Sequence, residues 1–325
     1  MQTDQTGVSQ VQSNSDIADS TEAPKNEARG RRRGRLRNRS SQVFLVLALP
    51  GLLTYFLGVL TPLGLALNFS LTDINLLSGI GNYVGVQNYI DVFSDPEFWS
   101  AITFVTLLTF FCVLIANAAG LALAVVLNKN HRFFHFLRSV TFIPSVLAGV
   151  VVAYIWSNIL TDSGILNNIL GSIGLTSLQT SWLGSPLGAQ ASVIFVTVWP
   201  SIGFGAIIYL AGLQSVPKEL LEAAAVDGSS PTRTFWAITW PLLSPAFFVT
   251  STMMVIGGFK AFDVSMILTG GGPSRATDTP ALQILRHGFI ENRAGYANAE
   301  AIILLVVLVL ISIIGTAISA RGDKK

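Results

Sequence analysis

Of the 325 residues, 1 is cysteine and 3 are histidine. A disulfide framework and a thiolate metal cluster both need several such side chains at fixed spacing, so neither is expected. Cys112 lies inside an apolar run and says nothing about redox compartment. Charge is equally scarce: 12% of the residues are Asp, Glu, Lys or Arg, against 51% that are hydrophobic. A soluble domain shows an apolar excess of about twofold rather than fourfold, which excludes a water-soluble globule. No GxxxxGKS/T phosphate cradle occurs, and the three histidines have no Ser and Asp in a catalytic order around them. The chain is therefore expected neither to hydrolyse ATP itself nor to be an enzyme, and no cofactor or metal is implied. A net charge of +2 is too small for a nucleic-acid footprint, so no nucleic acid is expected as partner.

Long apolar runs are what the sequence has instead. A bilayer core of about 30 Å takes about 20 apolar residues in a helix. Six stretches qualify, near residues 43–67, 101–127, 140–160, 191–213, 246–268 and 299–320. Runs such as AIILLVVLVLISIIG do not alternate as β-barrel strands must, so the reading is all-α, a polytopic protein with six transmembrane helices. Residues 1–40 are rich in Ser, Asp, Gln and Asn and end in RGRRRGRLRNRS, a composition expected to form a disordered basic tail rather than a domain. Residues 41–325 then form the transmembrane domain. The arginines read as a topology signal, with an acidic-lipid or nucleic-acid patch as the alternative. The run at 43–67 is too long for a signal-peptide core and no small-residue cleavage site follows it.

Placing both termini in the cytoplasm collects 16 of the 20 Lys and Arg on that side. The opposite side keeps Arg275, Arg286 and Arg293, and its earlier loops carry Asp73, Asp91, Asp95, Glu97 and Asp162. This satisfies the positive-inside rule and predicts a cell-membrane protein touching lipid.

The loop at 215–241 reads as two short helices. Ser215 and Pro217 start the first, Asp227 and Gly228 stop it, Ser230 and Pro231 open the second, and Pro241 and Pro245 mark its end. A helix of about ten residues needs a surface to lean on. Ala223, Ala224 and Ala225 offer a shallow face for close approach, ringed by Lys218, Glu219, Glu222 and Asp227. Such a helix suits a groove on a partner.

The stretch EAAAVDGSSPTRTFWAITWP resembles the EAA loop of membrane subunits of ABC importers, with Glu222, Ala223, Ala224, Gly228, Ile238 and Pro241 at the spacing of that signature. Ser229 replaces the Ala common after the glycine, and Trp240 the usual Leu before Pro241. The segments VGVQNYIDVFSDPEFW, IWSNILTDSGILNNIL, LAGLQSVP, FDVSMILTGGGPSRATDT and GYANAEA resemble, in order, the rest of a carbohydrate-uptake permease of the maltose or glycerol-phosphate type. The resemblance runs from about residue 43 onward. It implies a type I ABC importer permease fold of bacterial or archaeal membranes. It also implies a coupling helix docked on a separate ATPase dimer, a second homologous permease subunit and an extracytoplasmic solute-binding protein. The chain would form half of a pathway for a sugar or oligosaccharide. The alternatives are glycerol phosphate or another polar organic solute on the same machinery, and an ion-coupled secondary transporter.

Four residues are candidates for the solute pathway. Lys260 and Asp263, spaced i, i+3 in the fifth span, meet on one helix face and either line the path or neutralise each other. Trp199, beside Pro200 and near Gly203 and Gly205, marks a break or bend and offers a ring for stacking on a sugar, with lipid contact or core packing as the alternative. Asn117 serves either a neighbouring helix or a hydroxyl-rich solute. Gly270, Gly271, Gly272 and Pro273 form a loop that the resemblance places near the binding protein and outer gate, and that is otherwise a plain turn. His131 and His135, i, i+4, read as part of a basic membrane-edge turn. GNYVG fits GxxxG yet lies outside the hydrocarbon.

Overall fold

The computed structural model describes residues 47–322 of the chain, and side chains through residue 317. The basic tail at 1–40, the first residues of the expected first span, and Lys324 and Lys325 lie outside the described residues. Contacts divide the chain at Pro62 into two units. The described part of the first belongs to the helix Leu47–Phe69, which widens to a π turn at Phe56–Leu60.

In the second unit, five further stretches are long and apolar enough to cross a membrane: Pro96–Leu127, Gly149–Ser172, Pro186–Ser215, Pro231–Phe259 and Ala294–Ala317. Among the described residues there is no strand, only the isolated bridges Thr72 to Tyr83 and Asn75 to Arg293. The fold class is all-α, as expected. Lipid tails are as apolar as leucine, so spans associate by close packing and buried hydrogen bonds rather than by escape from water. Gly120 on the second span meets the fourth at the backbone: a Cβ there would stand 3.0 Å from Ala206 N and 3.1 Å from Ile202 O. Phe104, Leu108, Val152, Val193 and Val196 then close a core shared by spans 2, 3 and 4.

Two spans depart from the expected continuous helices. The run at 140–160 comprises the end of a helix Arg132–Val146, an interruption at Leu147 and Ala148, and a new helix Gly149–Leu160. Pro144 removes an amide donor in the last turn of the first piece, and Gly149 is a poor residue with which to extend it. The run at 246–268 ends its helix at Phe259 and restarts as Asp263–Thr269. The fourth span departs in the other sense. Its helix runs from Pro186 to Ser215 without a break at Pro200. The Ser145 hydroxyl donates to Pro200 O at 2.8 Å, and Gly203 leaves room for Thr141 O, 2.6 Å from where a Cβ would stand. The expected break at Pro200 is thus absent, and Pro200 and Gly203 are packing positions.

Pro241 and Pro245 do not end a helix either. The segment Pro231–Phe259 is continuous because it widens to a π turn at Phe235–Thr239 just before Pro241, giving the pyrrolidine ring room where a regular turn would clash. The second short helix of the 215–241 loop, from Pro231, is therefore the first part of the fifth span itself.

Candidate functional site

The expected docking helix is Lys218–Val226, nine residues or about 13 Å long. Ser215 belongs to the preceding span and Pro217 is the N-cap without a side-chain bond. Its carboxyl end is firmer. Gly228 sits at φ 72°, its amide donates to Ala225 O at 3.1 Å, and the Ser229 amide donates to Ala224 O at 2.9 Å. These two bonds make a Schellman turn, which satisfies carbonyls that a bare helix end leaves open. Ser230 caps the next helix by accepting from Arg233 N.

Three successive residues on a helix fan over about 200°, so Ala223, Ala224 and Ala225 cannot share a face. Ala224 is buried, while Leu221 and Ala225 line a groove of ≈ 480 Å³ with Val125, Leu213 and Val216. The side turned away carries Leu220, Glu222, Ala223, Val226 and Asp227, all exposed, with Val226 at 88%. This corrects the expected all-alanine docking face: one alanine packs inward, and the outward ridge is Leu220, Ala223 and Val226 at i, i+3 and i+6, flanked by carboxylates. Behind it, Phe235, Trp236, Trp240 and Phe247 stack in series at 5.2, 5.8 and 5.6 Å, linking the loop to the fifth span. His131 caps the helix Arg132–Val146 by accepting from Phe133 N, and Arg138 holds the end of the second span through Leu127 O at 2.7 Å.

The four candidate path residues fall in three places. Asn117 is inside the protein. Its Oδ1 accepts from the Tyr209 hydroxyl at 2.5 Å and lies 2.9 Å from the Thr250 hydroxyl, while its amide donates to Val113 O at 2.7 Å. Spans 2, 4 and 5 thus meet at one side chain whose polar groups are all engaged. Asn117→Ala is expected to remove the acceptor of the buried Tyr209 hydroxyl, at a cost of about 2 kcal/mol, read as a lower melting temperature of the purified protein. Trp199 packs edge-on against Trp156 at 5.6 Å, and Trp156 against Phe195 at 5.0 Å. Together with Leu107, Phe111, Ile115 and Ile202, Phe195 and Trp199 line an apolar groove of ≈ 440 Å³ between spans 2 and 4. Lys260 and Asp263 do not pair. Lys260 caps the end of one helix and Asp263 begins the next, so the i, i+3 geometry of a continuous helix is lost, and Lys260 is exposed.

The loop after Thr269 is tightly built. Gly270 closes its helix at φ 60°, and Gly271, at φ 89°, leaves no space for a Cβ beside the Asp278 carboxylate. Asp278 pairs with Arg286, Arg275 pairs with Glu97, and the Gln190 amide donates to Ala276 O at 2.8 Å. The loop thereby ties to the starts of spans 2 and 4. Gly272 and Pro273 are partly covered rather than free.

Sequence reasoning missed a buried polar cluster beside it. His287 Nδ1 and Glu300 Oε2 are 2.9 Å apart and hydrogen-bonded, both side chains enclosed. The Tyr296 ring stands edge-on to His287 at 5.0 Å, its hydroxyl donates to Asp95 Oδ2 at 2.8 Å, and the Arg293 guanidinium lies over the ring, 4.2 Å from its centre. The available signal was Glu300, a carboxylate at the mouth of the most apolar run.

Residues 116–324 match the family described as binding-protein-dependent transport system inner membrane component. The chain belongs to this family. The multiple sugar-binding transport system permease protein MsmF of Streptococcus mutans is 34% identical over 223 residues, 69% of this chain and 76% of that protein. The diacetylchitobiose uptake system permease protein NgcF of Streptomyces coelicolor is 31% identical over 298 residues, 87% of this chain and 84% of that one. A chain in the crystal structure of a bacterial ABC transporter involved in the import of the acidic polysaccharide alginate superposes with a TM-score of 0.76 at 22% identity, covering 88% of this chain and 99% of that one. The fold is thus that of type I ABC importer permeases, and the protein is a multi-pass membrane component of a transport system. The matched region takes in the helix Lys218–Val226 and the whole loop after Thr269, and it begins within the π turn Cys112–Ala116 of the second span.

Proposed function

We propose that this permease forms half of the translocation pathway of an ABC importer for a sugar or oligosaccharide, driven by a separate ATPase pair. The observation that carries the reading is the docking helix: an exposed ridge of Leu220, Ala223 and Val226, closed by the turn at Gly228 and followed directly after that turn by the unbroken helix Pro231–Phe259. A push on that ridge moves a membrane helix directly, which is what nucleotide-driven alternating access requires. Relatives that carry sugar-transport names supply the solute class.

In this reading the docking helix and both termini face the cytoplasm, where Glu222, Ala223, Asp227 and Gly228 meet the ATPase, Ala224 anchors the helix, and Pro241 sets its junction with the span. The opposite end, with Gly270 to Pro273, faces the extracytoplasmic binding protein. A second, homologous permease completes the path, and Trp199 and Lys260 are the side chains offered to the solute. Reconstitution of the whole complex in proteoliposomes tests this: sugar uptake is expected to need both ATP and the binding protein. Uptake that follows an ion gradient and ignores ATP overturns it.

A further inference from the structure

Both interrupted spans break at one place, and a single carboxylate joins them. The helix Gly149–Leu160 begins after Ala148 with no side-chain bond from its N-cap residue. The Asp263 carboxylate lies against that start: a Cβ on Gly149 would stand 2.9 Å from Asp263 Oδ2 and 3.4 Å from Asp263 Cβ. Gly149 is not among the positive-φ glycines, so the backbone does not demand glycine there. What is needed is the space the carboxylate fills.

The ion pairs among the described residues are Arg275 with Glu97, Arg286 with Asp278 and His287 with Glu300, and Asp263 is in none of them. A carboxylate close to hydrocarbon is expensive without a positive partner. The start of a 12-residue helix supplies one, through its open amides and the positive end of its dipole. Around this point the two pieces share one core, in which Val152, Ala153 and Leu268 are buried and Ala261 and Val264 pack on them.

We infer that Asp263 is a positioning residue, clamping the helix Asp263–Thr269 to the outer half of the third span so that the two move as one body. The inference rests on the importer reading given above. The span Pro231–Phe259 is one continuous helix that follows the docking helix across the capped turn Asp227–Ser230, and the three residues Lys260, Ala261 and Phe262 are the joint between that moving rod and the clamped pair. The rod transmits the motor's stroke, and the clamp decides what stays still against it.

The test uses the complete reconstituted complex with Asp263→Ala, Asp263→Asn, Gly149→Ala and the double variant Gly149→Ala with Asp263→Ala. Asp263→Ala is expected to lower maximal uptake about tenfold with the half-saturating solute concentration unchanged, whereas Asp263→Asn stays within about threefold of wild type, because an amide side chain serves a helix start as well. Gly149→Ala should show the same loss, and the double variant should be no worse than either single one. An Asp263→Asn variant as poor as Asp263→Ala, a shifted half-saturation, or losses that multiply in the double variant overturn the inference.

Spin labels on Tyr154→Cys and Met266→Cys, both at exposed positions, give a reading that needs no transport. Their distance is expected to stay narrow and equal in nucleotide-free and ATP-bound complexes and to broaden in Asp263→Ala. A wild-type distance that changes with nucleotide sinks the clamp. A wild-type complex that takes up solute without ATP sinks the importer reading instead.

Discussion

Gly228→Val is expected to abolish solute uptake while the protein still inserts and assembles. A Cβ at Gly228 would meet nothing within 4 Å, so no clash is involved. The cost is conformational: φ 72° is left-handed, worth about 1–2 kcal/mol against an ordinary L residue and more for a β-branched one. Abandoning that φ gives up the bonds to Ala224 O and Ala225 O, and the last turn of the docking helix with them. Val226 and Asp227, the outward end of the ridge, lose their place. About 2 kcal/mol is roughly a thirtyfold loss of docking-competent helix. Gly228→Ala, with the smaller side chain, should keep about a fifth of wild-type uptake. Glu222→Lys reverses a charge on the exposed face without touching the fold. Proteoliposome uptake measured beside ATP hydrolysis separates the cases: all three variants should lower uptake, with hydrolysis no longer tracking solute. Wild-type uptake in Gly228→Val and Glu222→Lys together would remove this helix from the coupling path.

The same helix shows what a one-dimensional reading can see. Capping obeys local rules, so the stop at Gly228 and the start at Ser230 were legible from residue type alone, as were the apolar runs that became spans 1, 2, 4 and 6. Which alanine faces inward was not, because that depends on where Val125, Leu213 and Val216 arrive from elsewhere in the chain. The interruption at Leu147 to Ala148 occurs in residues as apolar as their neighbours, the one at Lys260 to Phe262 holds a single charge in an apolar run, and hydropathy does not register a broken backbone. Pro200 misled in the opposite sense: a proline with nearby glycines reads as a break unless the helix Arg132–Val146 is known to supply a hydroxyl at its carbonyl. Asn117 read as a helix tie more readily than as a solute ligand, and only its partners on other spans, Tyr209 and Thr250 among them, decide where its hydrogen bonds go.

The cluster around His287 and Glu300 was invisible for a different reason. Tyr296 and Asp95 are 201 positions apart, and no spacing motif records such a pair. Glu300 is nonetheless where the next largest effect is expected. It is 1% exposed, its Oε2 is held by His287, and its Oε1 has no partner. Removing one member of an enclosed, hydrogen-bonded pair strands the other, at about 3–5 kcal/mol. Glu300→Ala should therefore lower the melting temperature of the purified protein by roughly 10 °C. Glu300→Gln keeps volume and a hydrogen-bonding oxygen and should cost about 1 kcal/mol. The pair with His287→Ala is the sharper check. His287 also packs its ring on Tyr296, whose hydroxyl reaches Asp95 at the start of the second span, so the cluster joins spans 2 and 6. If the pair is one structural unit, the double variant His287→Ala with Glu300→Ala loses much less than the sum of the singles. Additive losses would mean that each side chain acts through separate neighbours and that the contact between them holds nothing together.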